Sequence, residues 1–142
     1  RLHVMGGMQS GDKHQVLEMT EERGFRWTVK ANLPAPRQAA ASVVHEGRIL
    51  VMGGTVYDDD YDEDEEFGSD SVIVHNAETD TWARAHPLPL GLRSCAAITT
   101  VDGRTLFCTP GTIWQYDGAV WSEFAEGCDL GAHAAWVSLL LG

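Results

Sequence analysis

The chain lacks the means by which small secreted domains or membrane proteins hold themselves together. Its three cysteines, Cys95, Cys108 and Cys128, are odd in number and show no C-x-x-C spacing, which argues against a disulfide framework and against a zinc knuckle. No apolar run approaches the roughly 20 residues needed to cross a bilayer as a helix. Lys and Arg total 10 against 21 Asp and Glu, for a net charge of −11. That balance repels phosphate, so nucleic acid and anionic membranes are poor partners and basic ones remain. Also missing are the Gly-x-Gly-x-x-Gly and Gly-Lys-Ser/Thr loops that cradle phosphates and the Gly-x-Ser-x-Gly of a nucleophile elbow. The six histidines, His3, His14, His45, His75, His86 and His133, are scattered, with no pair at metal-ligand spacing on one element. The reading is therefore of no catalytic residue, no metal and no cofactor. The chain opens at Arg1 without a start Met or an apolar signal segment, as expected of a fragment, and free thiols suit a reducing, cytoplasmic compartment.

What is present is a repeat. Arg37-Gln-Ala-Ala-Ala-Ser-Val-Val-His-Glu-Gly-Arg-Ile-Leu-Val-Met-Gly53-Gly54 aligns without a gap with Arg93-Ser-Cys-Ala-Ala-Ile-Thr-Thr-Val-Asp-Gly-Arg-Thr-Leu-Phe-Cys-Thr109-Pro110, at an offset of 56. Upstream of each Arg stand a Trp, Trp27 or Trp82, and a Leu-Pro step, Leu33-Pro34 or Leu88-Pro89. The first residues, Leu2-His3-Val4-Met5-Gly6-Gly7, repeat Ile49-Leu50-Val51-Met52-Gly53-Gly54 at an offset of 47. A fixed internal period is the mark of a stacked or ring architecture.

Within each unit, short β-branched or small-residue runs alternate with Gly, Pro and Asp, the rhythm of strands rather than helices. Glu46-Gly47 and Asp102-Gly103 are two-residue hairpin signals, because Gly accepts the positive φ such turns require. First strands are expected at Ala40 to His45 and Cys95 to Val101, and second strands at Arg48 to Met52 and Arg104 to Cys108. A third and a fourth strand, Ser71 to Asn76 and Thr81 to Ala85, flank the polar turn Ala77-Glu78-Thr79-Asp80. The Asp102-Gly103 turn would set Cys95 and Cys108 diagonally on one hairpin, as small packing thiols. A four-stranded meander needs neighbours on its faces, and at about 50 residues per unit this chain holds about three, too few to close a ring of 4 to 8.

An apolar strand ending in double glycine, a loop, a strand carrying Trp, and Pro-Arg opening the next unit together resemble the Kelch repeat. The match is clearest from Arg37 to Pro89. The resemblance implies an all-β fold of consecutive four-stranded antiparallel blades from a Kelch-type β-propeller, incomplete in this chain. The division is 1–36, a partial first blade with strands two to four; 37–92, a full blade with an acidic insertion at 55–69; 93–130, a shortened third blade; and 131–142, a candidate first strand of the next. The departures are Thr109-Pro110 in place of Gly-Gly, and His75 and Thr20 where the family carries Tyr before Trp.

In such a blade, the connection from second to third strand and the passage to the next blade share one face. Arg37 and Arg93, at the start of first strands, thus lie with the loop after Gly54. The resemblance implies that this face holds protein ligands and that Arg at this position contacts them, for which a planar guanidinium suits carboxylates. Asp58, Asp59, Asp60, Asp62, Glu63, Asp64, Glu65 and Glu66 contribute −8 of the charge and leave −3 for the rest. Such a run repels itself and stays solvated. With Tyr57 and Tyr61 interleaved, it would dock a basic partner, whereas an EF-hand fails because Glu63 replaces the sixth-position Gly. The double glycines and Trp27, Trp82 and Trp121 are structural, for backbone turning and inter-blade packing. The expected function is a non-catalytic protein-interaction module, a scaffold or substrate-recognition part of a larger protein such as a ubiquitin-ligase adaptor. The alternatives are a truncated fragment without activity of its own, or part of a propeller enzyme of oxidase or sugar-epimerase type.

Overall fold

The structure, a computed structural model, describes residues 1–7, 11–22, 24–56 and 68–128. Every regular element among them is a strand. Three sheets follow one another along the chain. The first is β1 (Leu2–Met5), β2 (His14–Met19) and β3 (Phe25–Val29) in antiparallel order. Between the first and second sheets runs the short β4 (Arg37–Gln38), which pairs with β7 (Thr55–Val56) as a two-residue ribbon. The second sheet is β5 (Ala41–His45), β6 (Arg48–Met52), β8 (Val72–Asn76) and β9 (Thr81–Arg84). The third is β10 (Ala96–Thr99), β11 (Thr105–Thr109), β12 (Gly111–Tyr116) and β13 (Trp121–Cys128). The all-β reading holds, and the expected strands fall within two residues of those observed.

The middle sheet shows why the units must stack. Its inner strands read Ile-Leu-Val-Met and Val-Ile-Val, apolar at consecutive positions, which puts greasy side chains on both faces. Leu50, Met52 and Val72 point toward the third sheet and join Ala97, Phe107 and Tyr116 in one core. Val51 and Ile73 point the other way and pack with Leu33, Met5 and Trp82. Phe107 is fully buried, a burial contributing about 1.5–3 kcal/mol. Thr99 Oγ1 donates to Val44 O at 2.6 Å across the second seam.

Tryptophan repeats its task at each seam. Trp82 Nε1 donates to Ala31 O of the preceding unit at 2.9 Å, and Trp121 Nε1 donates to His86 O at 3.3 Å. Ala31 and His86 each lie four residues past their own unit's Trp. Trp27, the first of the series, faces outward and is 53% exposed. Its neighbours on that face, Leu2, Val4, Met19, Phe25 and Val29, are exposed as well.

Two details of register depart from the sequence reading. At Glu46-Gly47 both residues take positive φ, +48° and +76°, the tight turn expected. At Asp102-Gly103 only Gly103 does, at +85°. Thr100 N donates to Arg104 O at 2.8 Å, closing a loop of residues 100–104. The ladder then pairs Ala96 with Cys108 and Ala97 with Phe107, one residue away from a two-residue turn. A slip of one exchanges the two faces, so Cys95 and Cys108 are not diagonal neighbours. Cys95 lies before the strand, buried, with Sγ on Met52 O at 3.4 Å. In the first sheet, Leu17 stands opposite Trp27 as His75 does opposite Trp82 and Tyr116 opposite Trp121. Leu17, not Thr20, therefore holds in the first unit the place of His75 and Tyr116 in the next two.

The double glycines fasten each unit to the next. Gly7 N donates to Arg37 O at 3.0 Å and Gly54 N to Leu92 O at 2.8 Å. Gly53 sits at φ +63°, and a Cβ there would lie 2.3 Å from Cys95 Sγ. In the third unit Pro110-Gly111 makes a tight turn instead, with Gly111 at φ +89° and Thr109 paired to Thr112.

Two predictions follow from this packing. Gly53→Ala combines a disfavoured φ with overlap against a buried sulfur, and chemical denaturation should show a loss of about 1–3 kcal/mol. The exposed face around Phe25, Trp27 and Val29 should make the chain associate as concentration rises in sedimentation velocity. Phe25→Lys with Val29→Lys should return it to a monomer, and concentration-independent sedimentation of the parent chain would refute this.

Candidate functional site

Two groups of polar residues stand apart from the apolar seams. One is the loop face. Strand β4 crosses it next to the connection that follows Gly54, so Arg37 points inward beneath that connection. Its Nη1 donates to Gly53 O at 2.8 Å and Ser71 O at 3.0 Å, and its Nη2 to Ser71 Oγ at 2.7 Å. Arg37 is 4% exposed, and burial lowers its pKa from the ordinary guanidinium value. The guanidinium is spent on the protein's own backbone, tying both ends of the connection to one point. Ser69 N donates to Gly54 O at 2.9 Å, and Ser69 bridges Leu92, so the chain beside Arg93 belongs to the same face. Arg93 is exposed there, since the tight turn of the third unit leaves no ribbon above it. A cleft of about 460 Å³ opens between Pro34, Ala35, Arg37, Ser69 and Asp70. Tyr57, Asp58, Asp59, Asp60, Tyr61, Asp62, Glu63, Asp64, Glu65 and Glu66 lie outside the described residues, as do His133 and the segment 131–142.

The other group is a histidine cluster in the seam between the first and second sheets. His3 on β1 and His14 on β2 project from the first sheet, and His75 on β8 projects from the second, beside Trp82. His3 Nδ1 and His14 Nε2 share a hydrogen bond at 2.9 Å. The His14 and His75 rings meet edge to face with centroids 4.8 Å apart. His75 Nε2 lies 2.9 Å from Asp80 Oδ1, and both carboxylate oxygens of Asp80 accept from Ala31 N at 3.2 Å. The β8–β9 turn thus reaches across the seam to the preceding unit. One ligand atom from each of His14, His75 and Asp80 can be chosen so that all lie within 4.8 Å of one another.

The electrostatics follow from the packing. His14 is held below the ordinary imidazole pKa, first by burial and then by the neighbouring His75 and His3. His3 is lowered too, by burial and then by His75 and Arg1. Asp80 lies below the usual carboxylate value, chiefly through its hydrogen bond with His75. Burial and mutual proximity thus favour the uncharged form of His3 and His14, close to the ionised carboxylate of Asp80.

Sequence reasoning missed this cluster because its members come from three strands and one turn of two sheets, at separations no linear motif encodes. Strand parity was the available signal: His3, His14 and His75 all occupy positions facing the seam. A further histidine, His45, lies in the second seam with Nδ1 3.0 Å from Thr105 Oγ1 and its ring against Tyr116.

No family model and no curated protein matches this chain. Solved structures do resemble it. YjhT, a propeller-like protein, superposes with a TM-score of 0.69 at 16% identity, over 87% of this chain and 47% of YjhT. A novel fungal alcohol oxidase of the AA5 family, solved in complex with copper, gives 0.54 at 19% identity, over 72% of this chain and 21% of the oxidase. The chain spans about half the length of the first and a fifth of the second. These likenesses show the fold: successive antiparallel sheets stacked as in part of a propeller. No helix among the described residues is long and apolar enough to cross a membrane.

The lowered imidazole pKa values fix a pH response. Below about pH 6.5 the unfolded chain takes up protons that folded His3 and His14 resist. Stability is therefore fully present above that value and falls as pH drops toward their folded pKa values. Arg1, the N-terminus and Lys30 disfavour the same protonation, while Asp80 favours it. In chelator-containing buffer the melting temperature should fall between pH 7 and 5.5, and His14→Val should flatten that fall. Parallel profiles for the two proteins would contradict this account.

Proposed function

We propose that this chain is part of a Kelch-type propeller and works as a non-catalytic protein-interaction module, a scaffold or substrate-recognition part of a larger protein. Its ligand is a protein with basic surface held at the loop face, in a cytoplasmic setting. The observation that carries this reading is the Arg37 staple. By binding Gly53 O and both polar groups of Ser71, it anchors the chain on each side of the segment holding eight acidic residues. A concentrated negative charge on an anchored base suits capture of a cationic partner, because fixing the ends of a loop lowers the entropy lost on binding. Arg37 is then a positioning residue, and the exposed Arg93 pairs with a carboxylate of the partner beside its basic surface.

The likeness to the copper-bound oxidase supports a second reading, a propeller enzyme. That chemistry would call for metal ligands on the first strands, where His45 is the one histidine among the described residues.

The test is affinity capture by the protein in its full-length context. Replacing the acids at 58–60 and 62–66 by Asn and Gln should abolish retention of the captured partner, and added salt should weaken retention by the parent protein. Arg93→Ala should weaken it, and Arg37→Met should weaken it while also lowering the melting temperature. Capture unchanged across all three variants would overturn the assignment. Oxygen consumption by the copper-loaded protein with an alcohol would favour the enzyme.

A further inference from the structure

The three units provide their own control for the histidine cluster. Aligned through Met5 and Met52, His3 corresponds to Leu50. By pairing, His14 opposite Met5 corresponds to Val72 opposite Met52. In the second seam Leu50 and Val72 are buried apolar residues of the core that contains Tyr116. The same positions in the first seam hold imidazoles facing His75, the counterpart of Tyr116. Packing at the His3 and His14 positions is thus satisfied by hydrocarbon and does not call for imidazoles there.

The histidines also leave ring nitrogens stranded. His14 and His75 are each 1% exposed, and the Nδ1 of each is buried without a hydrogen-bond partner. An ionised carboxylate only accepts, so the hydrogen between His75 and Asp80 sits on His75 Nε2, and Nδ1 is left without a partner. A buried polar atom in that state costs about 1–3 kcal/mol. An apolar residue would remove the cost, as happens one seam further on. A cation bound at His14 Nδ1 would remove it as well.

We propose that His14, His75 and Asp80 form a binding site for a divalent transition-metal ion, zinc foremost, that pins the first sheet to the second. Two imidazoles and a carboxylate are a donor set that Zn²⁺ accepts. Around a tetrahedral ion, ligands about 2.0–2.2 Å from the metal lie roughly 3.3 Å apart, so the present spread of up to 4.8 Å closes by side-chain rotation. His3 holds the His14 ring through the 2.9 Å contact, the positioning role that outer partners of metal-bound imidazoles play. Coordination through His75 Nε2 moves the ring hydrogen now shared with Asp80 to Nδ1. The site lies on the third strands of two units and the turn after one of them, separate from the loop face, so it stands or falls independently of partner capture.

The experiment uses the chain freed of metal by chelator and titrated with Zn²⁺ by calorimetry and with Co²⁺ by visible absorption. One ion per chain is expected, with the intense absorption of low-coordinate Co²⁺ and a rise in melting temperature on zinc addition. His14→Val installs the residue of the second seam. It should bind roughly 10- to 100-fold more weakly or not at all, while its metal-free form melts no lower than the parent at pH 7. His75→Gln should show the same loss from the other sheet, and His3→Leu a smaller one. Neutralising the acids at 58–60 and 62–66 should leave the cobalt spectrum unchanged. Absence of zinc heat and cobalt absorption in the parent chain would overturn the proposal. So would binding that survives both His14→Val and His75→Gln, or binding that disappears with the acidic run.

Discussion

Everything in this structure depends on a sheet that is apolar on both faces and must be covered on both. The run Ile49-Leu50-Val51-Met52 beside Val72-Ile73-Val74 leaves the middle sheet no wet side, because successive side chains of a strand point in opposite directions. One neighbour covers Leu50, Met52 and Val72, and the other covers Val51 and Ile73. Once a repeat is built in this way, each copy creates the demand that the next copy meets. The exposed face around Trp27 is the same demand where no described residue meets it.

The seams are specified by polar contacts laid over this apolar packing. Trp82 and Trp121 reach carbonyls at equivalent places in the unit before, and the glycine pairs bond to the start of the unit after. Hydrophobic burial is non-directional. These directed contacts set how far one sheet slides and turns upon the next. Arg37 extends the same logic to the loop face, where a buried cation ties Gly53 to Ser71. The first seam departs from the second by exchanging hydrocarbon for imidazole at two matching positions, the contrast on which the proposed metal site rests.

Strand content, the repeat and the stacked arrangement were legible from residues near one another in the chain. Glu46-Gly47 announced its turn because φ > 0 at both residues is a local requirement. Gly53-Gly54 and the Trp positions recurred at a fixed spacing, so their structural role could be read from repetition. The Asp102-Gly103 loop was misjudged: Thr100 bonded to Arg104 lengthened it to residues 100–104, and the altered register separated Cys95 from Cys108.

Composition and spacing by themselves determined that this chain forms short antiparallel strands in consecutive units, since turn chemistry and side-chain alternation act over a few residues. Tertiary structure alone decided that Arg37 turns inward to bind Gly53 and Ser71, and that His3, His14, His75 and Asp80 meet. Those encounters join positions up to 77 residues apart through the stacking of separate sheets. Their distances come from how the seams close, a property of the packed molecule that no local segment carries.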